Sequence, residues 1–364
     1  MDRRAFAIAA VAASWAARSR AQAGHAAHGG GYEGLYERLD RPGRTDKPAL
    51  AEAQALTASP APLAAEPGRW SASAPLPLAR SEMAWATVDD AGCMHVVGGY
   101  AEQRVDRAYH HVYDAAADRW SSAAPLPRGA NHVGVAFVSG LLYAVGGFVE
   151  QNRRPHAECY AWDSAVDRWT RIAPLPQPCG AVGCVAAGGR LHAIGGAVGG
   201  TFETKKSIDA HLLYDARADR WQRLAPLPTG RDHIGVVAFG DETLHVVGGR
   251  VDSFATNFDL HHAWDAAADR WTQRRPLPTP RSGHGAVVYR GRLFVMGGEG
   301  TSRVFGQNEA YDPASDAWVH HAPMPTPRHG LGAAVVGDAI HIAGGGPVNG
   351  GSVQSAVHET FTLD

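Results

Sequence analysis

The 364-residue sequence predicts an all-β fold, a six-bladed β-propeller, on three observations. Five units contain a Tyr-Asp or Trp-Asp pair, with a Trp six residues after the Asp. The units repeat every 47 to 53 residues, a period that suits a blade of four short strands. Each unit also has a Gly-Gly pair after a short β-type run, at positions 98–99, 146–147, 195–196, 248–249, 297–298 and 344–345.

The composition agrees with short strands joined by tight turns, because the chain has 43 Gly and 23 Pro. The formal net charge is −2 and no basic block occurs, so nucleic acid and anionic membranes are not expected partners. The four cysteines show no metal-binding or redox spacing. We therefore expect buried thiols, no metal site and no cofactor; the cysteines are Cys93, Cys159, Cys179 and Cys184.

The first 23 residues predict an export signal. Arg3 and Arg4 precede an apolar run at 5–17 and a small-residue cleavage site at 21–23, a pattern that resembles the twin-arginine signal of bacteria. The run is too short to span a bilayer, so we expect cleavage after residue 23 and a periplasmic or secreted protein without a membrane span. Residues 24–66, rich in Ala, Pro and Gly, are expected to form a linker or strap.

The last unit ends without a Trp strand of its own, whereas the phrase PGRWSASAPLP at 67–77 precedes the first unit. We expect the N-terminal strand that contains Trp70 to pair with the C-terminal strand and close the ring. Asp364 would then occupy the place of the aromatic-Asp pair. Closure would remove two open sheet edges, which otherwise favour aggregation.

The Gly-Gly pair, the Tyr/Trp-Asp pair and the spaced Trp together resemble the kelch repeat, over residues 67–364. The resemblance implies a kelch β-propeller. Because kelch propellers include protein-binding adaptors, sugar-handling enzymes and copper oxidases, it favours no single function.

Loop lengths indicate which face of the propeller is functional. We call the strands of a blade a to d from the axis outward. From Trp to the next Gly-Gly the count is 26 to 28 residues, whereas from Gly-Gly to Asp it varies from 15 to 20. The variable stretch is the b–c loop, which emerges on the same face as the d–a connection. Variable loops on a rigid scaffold commonly carry function.

Two columns of residues before strand a form the candidate site. If strand alternation holds there, both columns face the channel mouth. The first column contains arginines that could bind a carboxylate or a polyhydroxylated ligand, namely Arg80, Arg231, Arg281 and Arg328. The second column supplies possible acid–base groups, namely Glu82, His132 and His233. The alternative is that these Arg and His residues only hold neighbouring blades together.

The b–c loops add polar residues, and Glu150, Arg153 and Arg154 of the second blade are further candidate ligand-binding residues. Other charged or aromatic residues of the b–c loops include Arg104, Phe202, Glu203, Lys205, Lys206 and Arg250. A solvated rim would have the same composition. Histidines recur on strands b and c, where we expect packing residues that lie too far apart around the ring to share a metal.

Three functions fit this pattern. The first is a monomeric exported propeller that binds a glycan, a sugar acid or a partner protein at the b–c face. The second is a sugar mutarotase or epimerase, similar in fold to the periplasmic sialic-acid mutarotases. The third and least favoured is a copper oxidase like galactose oxidase, whose family pairs the propeller with a further C-terminal domain. The sequence leaves open whether the chain is an enzyme.

Overall fold

The computed structural model of the chain describes residues 67–83, 85–102, 106–200 and 204–363. Thirty strands in this part form six four-stranded antiparallel sheets and three two-stranded ribbons, which confirms the six-bladed all-β fold. No helix in these ranges is long and apolar enough to cross a membrane. Several expectations fall outside the described residues: the signal at 1–23, the strap at 24–66, and Arg104, Phe202, Glu203 and Asp364.

The strands are numbered in chain order, beginning with β1 (Arg69–Ala72). Blade 1 contains β2 (Ala86–Val88), β3 (Met94–Val97), β4 (His110–Asp114) and β5 (Arg119–Ala123). Blade 5 contains β24 (Gly285–Tyr289), β25 (Arg292–Met296), β26 (Asn308–Asp312) and β27 (Ala317–His320). Blade 6 contains β28 (Gly332–Val336), β29 (Ala339–Ala343) and β30 (His358–Thr362), together with β1.

Blades 2 to 4 each carry an extra ribbon in the b–c loop. Blade 2 contains β6 (Gly134–Val138), β7 (Leu141–Val145), the ribbon β8 (Phe148–Val149) and β9 (Arg154–Pro155), β10 (Cys159–Asp163) and β11 (Arg168–Ile172). Blade 3 contains β12 (Gly183–Ala187), β13 (Arg190–Ile194), the ribbon β14 (Ala197–Val198) and β15 (Lys206–Ser207), β16 (His211–Asp215) and β17 (Arg220–Arg223). Blade 4 contains β18 (Gly235–Phe239), β19 (Thr243–Val247), the ribbon β20 (Arg250–Val251) and β21 (Ser253–Asn257), β22 (His261–Asp265) and β23 (Arg270–Gln273).

The ring closes as expected, because β1 pairs antiparallel with β30 as the outermost strand of blade 6. Trp70 lies opposite Phe361, and Arg69 lies opposite Thr362. The expectation that Asp364 takes the Asp position is wrong, since this register gives that position to Thr362. The aromatic residue of the pair is Phe361, which the Tyr/Trp-Asp pattern does not include.

The repeated Trp phrase joins each blade to the preceding one. Asp118, two residues before Trp120, accepts hydrogen bonds from the N–H of Ala74 at 2.8 Å and from the hydroxyl of Tyr113 at 2.6 Å. Gly68 stands in the place of this Asp in the first copy. In all six copies the Trp indole N–H donates to a backbone carbonyl of the preceding blade: Trp70 to Ala322, Trp120 to Ala74, Trp169 to Ala124, Trp221 to Ala173, Trp271 to Ala225 and Trp318 to Arg275.

The Gly-Gly pair turns the chain sharply at the end of strand b. Gly98 and Gly99 have φ values of 70° and 96°, which L side chains rarely adopt. A Cβ atom on Gly99 would lie 2.7 Å from the carbonyl oxygen of Ser81. Only glycine therefore lets strand b end this close to the start of strand a.

In four of the blades a strand-b and a strand-c histidine, which the sequence predicts to be packing residues, form a buried pair. In each pair Nδ1 of the strand-b histidine lies 2.7–3.0 Å from Nε2 of the strand-c histidine. The pairs are His95–His110, His192–His211, His245–His261 and His341–His358. All four cysteines are also buried and form no disulfide, as expected.

Candidate functional site

The six innermost strands line a central channel of about 300 Å³, whose walls are small apolar side chains such as Val88, Val237 and Val335. At the b–c end the channel narrows to a space of about 10 Å³, room for about one water molecule. One residue from each blade forms this constriction, which we call the neck ring: Glu82, His132, Ala181, His233, Gly283 and Gly330.

The backbone of the neck ring is not extended. All six residues have φ between 51° and 62°, the left-handed region. Each non-glycine residue there costs roughly 1 kcal/mol, a type of strain that clusters at functional sites. Backbone hydrogen bonds link the ring from blade to blade, for example His132 N–H to the Glu82 carbonyl at 2.9 Å and Gly283 N–H to the His233 carbonyl at 3.0 Å.

The left-handed turn separates the two columns of the candidate site, because period-two alternation holds only in extended backbone. The expectation that the four arginines face the channel is therefore wrong. They are fully buried within their own blades, and each bonds backbone carbonyls and a strand-c side chain. The side-chain pairs are Arg80–His111 (2.9 Å), Arg231–His262 (3.2 Å), Arg281–Glu309 (2.5 Å) and Arg328–Glu359 (2.7 Å).

The structure does bring Glu82, His132 and His233 together. Nδ1 of His132 lies 2.5 Å from Oδ1 of Asn131. The Asn131 amide nitrogen donates to Asp106 and to the Phe148 carbonyl, so the oxygen must face His132. His132 therefore donates through Nδ1, and its Nε2 faces Oε2 of Glu82 at 2.9 Å.

His233 is held on both sides. Its Nδ1 contacts the Asp232 carboxylate, and its Nε2 accepts a 2.7 Å hydrogen bond from Arg250. Burial, together with the Arg250 charge, lowers the pKa of His233 to about 3, so the ring is neutral at physiological pH. Arg250 also pairs with Asp232 at 3.2 Å and with Glu299 at 2.8 Å.

His329 lies between two carboxylates, 3.3 Å from Glu82 and 3.5 Å from Glu299. Its Nε2 donates to the Val348 carbonyl at 2.6 Å. Burial alone would lower the pKa of His329, but the charges of Glu299 and Glu82 outweigh it and raise that pKa. Burial alone would raise the pKa of Glu82, but the charges of His329 and His132 outweigh it and lower that pKa. Both shifts favour the charged form of the group, because the imidazole and the carboxylates lie side by side.

The sequence pattern did not indicate Asn131, Asp232, Glu299 or His329, and it indicated Arg250 only as a polar residue of a b–c loop. A signal for them exists, because the residue before each neck-ring residue bridges to the residue after the Gly-Gly pair of the same blade. The bridges include Asn131–Phe148, Asp232–Arg250, Ser282–Glu299 and His329–Gly346. The residue before the neck-ring position and the residue after Gly-Gly, aligned across the six repeats, therefore indicate which side chains surround the ring.

The expected rim residues lie on the b–c face but not in the neck ring. Glu150 and Arg154 form an exposed ion pair at 2.7 Å, and Arg153 is also exposed. Lys205 is buried, with Nζ 2.7 Å from Asn152 Oδ1 and 4.5 Å from the centre of the Phe148 ring. Burial, aided by the Arg250 charge, lowers the pKa of Lys205 to about 8.

Comparisons with known proteins agree with this architecture. Residues 181–364 match the KLHDC2/KLHL20/DRC7 Kelch-repeats domain, and residues 130–176 match the Kelch motif. The solved structure of YjhT is similar with a TM-score of 0.68 at 15% identity, over 81% of this chain and 98% of that one. Because 863 solved chains match, the likeness shows the fold alone. No curated protein matches the chain.

Proposed function

This chain belongs to the kelch-repeat family of β-propellers, and from that premise we propose that it binds a small polar ligand, a sugar acid or a glycan end, on the b–c face above the neck ring. One observation carries the proposal: buried ionisable residues from five blades converge at this end of the channel. They are Glu82, His132, Asp232, His233, Arg250, Glu299 and His329. Burying charges lowers the stability of the folded state, and clusters of buried ionisable groups often mark functional sites.

The exposed charges of the b–c loops support an anionic ligand. Arg153 and Arg303 are exposed, whereas Arg154 and Lys206 are paired with Glu150 and Asp252. A guanidinium group binds a carboxylate through two parallel hydrogen bonds, which favours a sugar acid over a neutral sugar.

The pKa shifts in the cluster favour binding over proton transfer. A general acid or base works best when its pKa lies near the working pH. The pKa of His233 is about 3, that of Glu82 is lowered and that of His329 is raised. His233 and Glu82 are thus each held in one charge state at neutral pH.

Anomer exchange on a sugar acid is the second candidate function. The observation that favours it is the 2.9 Å contact between His132 Nε2 and Glu82 Oε2, which places one proton between an acid and a base. Such a pair could donate a proton to the ring oxygen of a sugar and accept one from its anomeric hydroxyl.

Saturation-transfer NMR with uronic acids, sialic acid and the matching neutral sugars tests the proposal. We expect a signal for one acid, no signal for its neutral parent, and loss of the signal in the Arg153→Ser/Arg303→Ser variant. Arg290→Ser is the matched control, because Arg290 pairs with Asp338 on the opposite face. Binding of no acid, or full binding by the double variant, would overturn the proposal. Exchange spectroscopy on the bound acid then separates mutarotation from binding.

We also propose that the protein is exported, supported by the twin-arginine pattern at Arg3 and Arg4. Cell fractionation and N-terminal sequencing test this. We expect mature protein outside the cytoplasm that begins at Gly24, and a cytoplasmic precursor in an Arg3→Lys/Arg4→Lys variant. Uncleaved wild-type protein in the cytoplasm would contradict export.

A further inference from the structure

We propose that the neck ring binds one divalent transition-metal ion, such as Zn²⁺, through His132, His233 and Glu82. Each of these buried side chains offers a donor atom within 4.8 Å of the other two. Two imidazoles and one carboxylate form a donor set suited to zinc and its first-row neighbours. The residues come from three different blades, so no ligand spacing in the sequence indicates the site.

Both imidazoles are oriented as metal-binding histidines are. Asn131 Oδ1 accepts from Nδ1 of His132, and the Asp232 carboxylate accepts from Nδ1 of His233. In both rings Nε2 is therefore the nitrogen that could bind a metal ion, in exchange for its present contact with Glu82 or Arg250. Metal-binding histidines in proteins usually donate their second ring N–H to such an acceptor, which fixes the tautomer and orients the ring.

The contact between His132 and Glu82 needs a proton or a metal ion. Nε2 of His132 and Oε2 of Glu82 are both acceptors and lie 2.9 Å apart, so a positive charge must lie between them. A proton meets this need, and a metal ion can replace it.

The neck of the channel is the right size for a metal ion. The space of about 10 Å³ in the neck is lined by all three proposed ligands. It has room for about one water molecule, and hence for a single ion. The other lining residues include Gly283 and Gly330, which bring no side chain into the ring.

Arg250 competes with the metal ion for Nε2 of His233. Its Nη2 donates to Nε2 of His233 at 2.7 Å and must move away when that nitrogen binds a metal. The contacts of Arg250 with Asp232 and Glu299 use Nε and Nη1. Replacing Arg250 with Gln removes both the competitor and a positive charge, so it should tighten metal binding. If the substitution only damaged the fold, metal binding would weaken instead.

Titration calorimetry with Zn²⁺ on the chelator-treated full-length protein tests the proposal. Because His25 and His28 of the N-terminal segment could bind metal themselves, the titration is repeated on a His25→Ala/His28→Ala variant. We expect one equivalent of Zn²⁺ in both proteins. Glu82→Gln and His233→Gln should each lose at least about tenfold in affinity, whereas Arg250→Gln should gain affinity. His320→Gln, a half-buried histidine outside the ring, should bind as the wild type does.

Proton release gives an independent readout. If Zn²⁺ displaces the proton between His132 and Glu82, binding releases close to one proton, which calorimetry in buffers of different ionisation enthalpy detects. Circular dichroism checks that each variant is folded. The proposal is overturned if the His25→Ala/His28→Ala variant binds no stoichiometric Zn²⁺. It is equally overturned if folded Glu82→Gln and His233→Gln bind like the wild type, or if Arg250→Gln weakens binding.

Discussion

The indole N–H of Trp120 donates a 2.8 Å hydrogen bond to the carbonyl oxygen of Ala74, a residue 46 positions earlier that follows the outer strand of the neighbouring blade. In the complete copies an Asp supports this bond by accepting from the N–H of the same neighbouring residue, as Asp118 does for Ala74. The repeated phrase is thus a clasp between blades, and its effect on stability can be measured.

Asp219→Ala should lower the free energy of unfolding by about 1 kcal/mol. Asp219 Oδ1 accepts from the Ala173 N–H and the Tyr214 hydroxyl, both at 2.7 Å, and the substitution removes both bonds. Asp219→Asn keeps an oxygen acceptor and tolerates the φ of 47°, so its urea midpoint should stay near that of the wild type. Equal midpoints for the Ala and Asn variants would contradict the clasp.

Arg281→Ala should destabilise the protein by about 3–5 kcal/mol, because it leaves the fully buried Glu309 carboxylate without its guanidinium partner. In blade 3 the positions of Arg281 and Glu309 are occupied by two uncharged residues. These are Cys179 and Leu212, which line the same small cavity. The double variant Arg281→Cys/Glu309→Leu should therefore recover most of the loss in urea unfolding. Ligand binding at the b–c face should be unchanged in the double variant. If Arg281→Ala unfolds at the wild-type midpoint, the buried pair does not stabilise the blade.

Acid should destabilise the propeller through its histidine pairs. Burial lowers the pKa of several paired histidines, to about 3 for His192 and His261 and about 4 for His211, His245 and His341. In the unfolded chain these imidazoles titrate near pH 6.5. Their contribution to stability is therefore complete above pH 6.5 and is lost as the pH falls toward 3–4. His329, whose pKa is raised, acts in the opposite sense.

Thermal midpoints between pH 8 and pH 4 measure this dependence. Blade 2 offers a matched replacement, because Tyr143 and Cys159 occupy the pair positions there. Grafting them as His192→Tyr/His211→Cys removes two of the depressed groups, so the midpoint should fall less steeply with acid than in the wild type. An unchanged slope would mean that the pairs do not link folding to pH.

The four cysteines should not react with a thiol reagent at pH 8 in the native protein. Burial raises the pKa of Cys93 to about 11 and that of Cys159 and Cys179 to about 12, so thiolate is scarce. All four should react in denaturant, as counted from the absorbance of the released group. Rapid modification of one native thiol would place it on an accessible surface.

Sequence reasoning predicted the scaffold because each blade repeats the same backbone requirements. Gly-Gly, the aromatic-Asp pair and Trp recur where turns and clasps need them, and the closing strand follows from simple counting. The site was harder to predict. The Arg and Glu/His columns lie two residues apart, but a left-handed residue such as Glu82, with φ of 55°, sends the neighbouring side chains in different directions. Hydropathy and spacing do not encode that turn.

The ring is joined by the four residue pairs between β1 and β30, and the clasp at this seam has Gly68 in place of Asp. A mechanical force on the chain before Pro67 would act first on this outermost strand. The residue pairs between β1 and β30 would separate one after another, before the force acts on any other blade. Blade 6 is therefore where forced unfolding should begin.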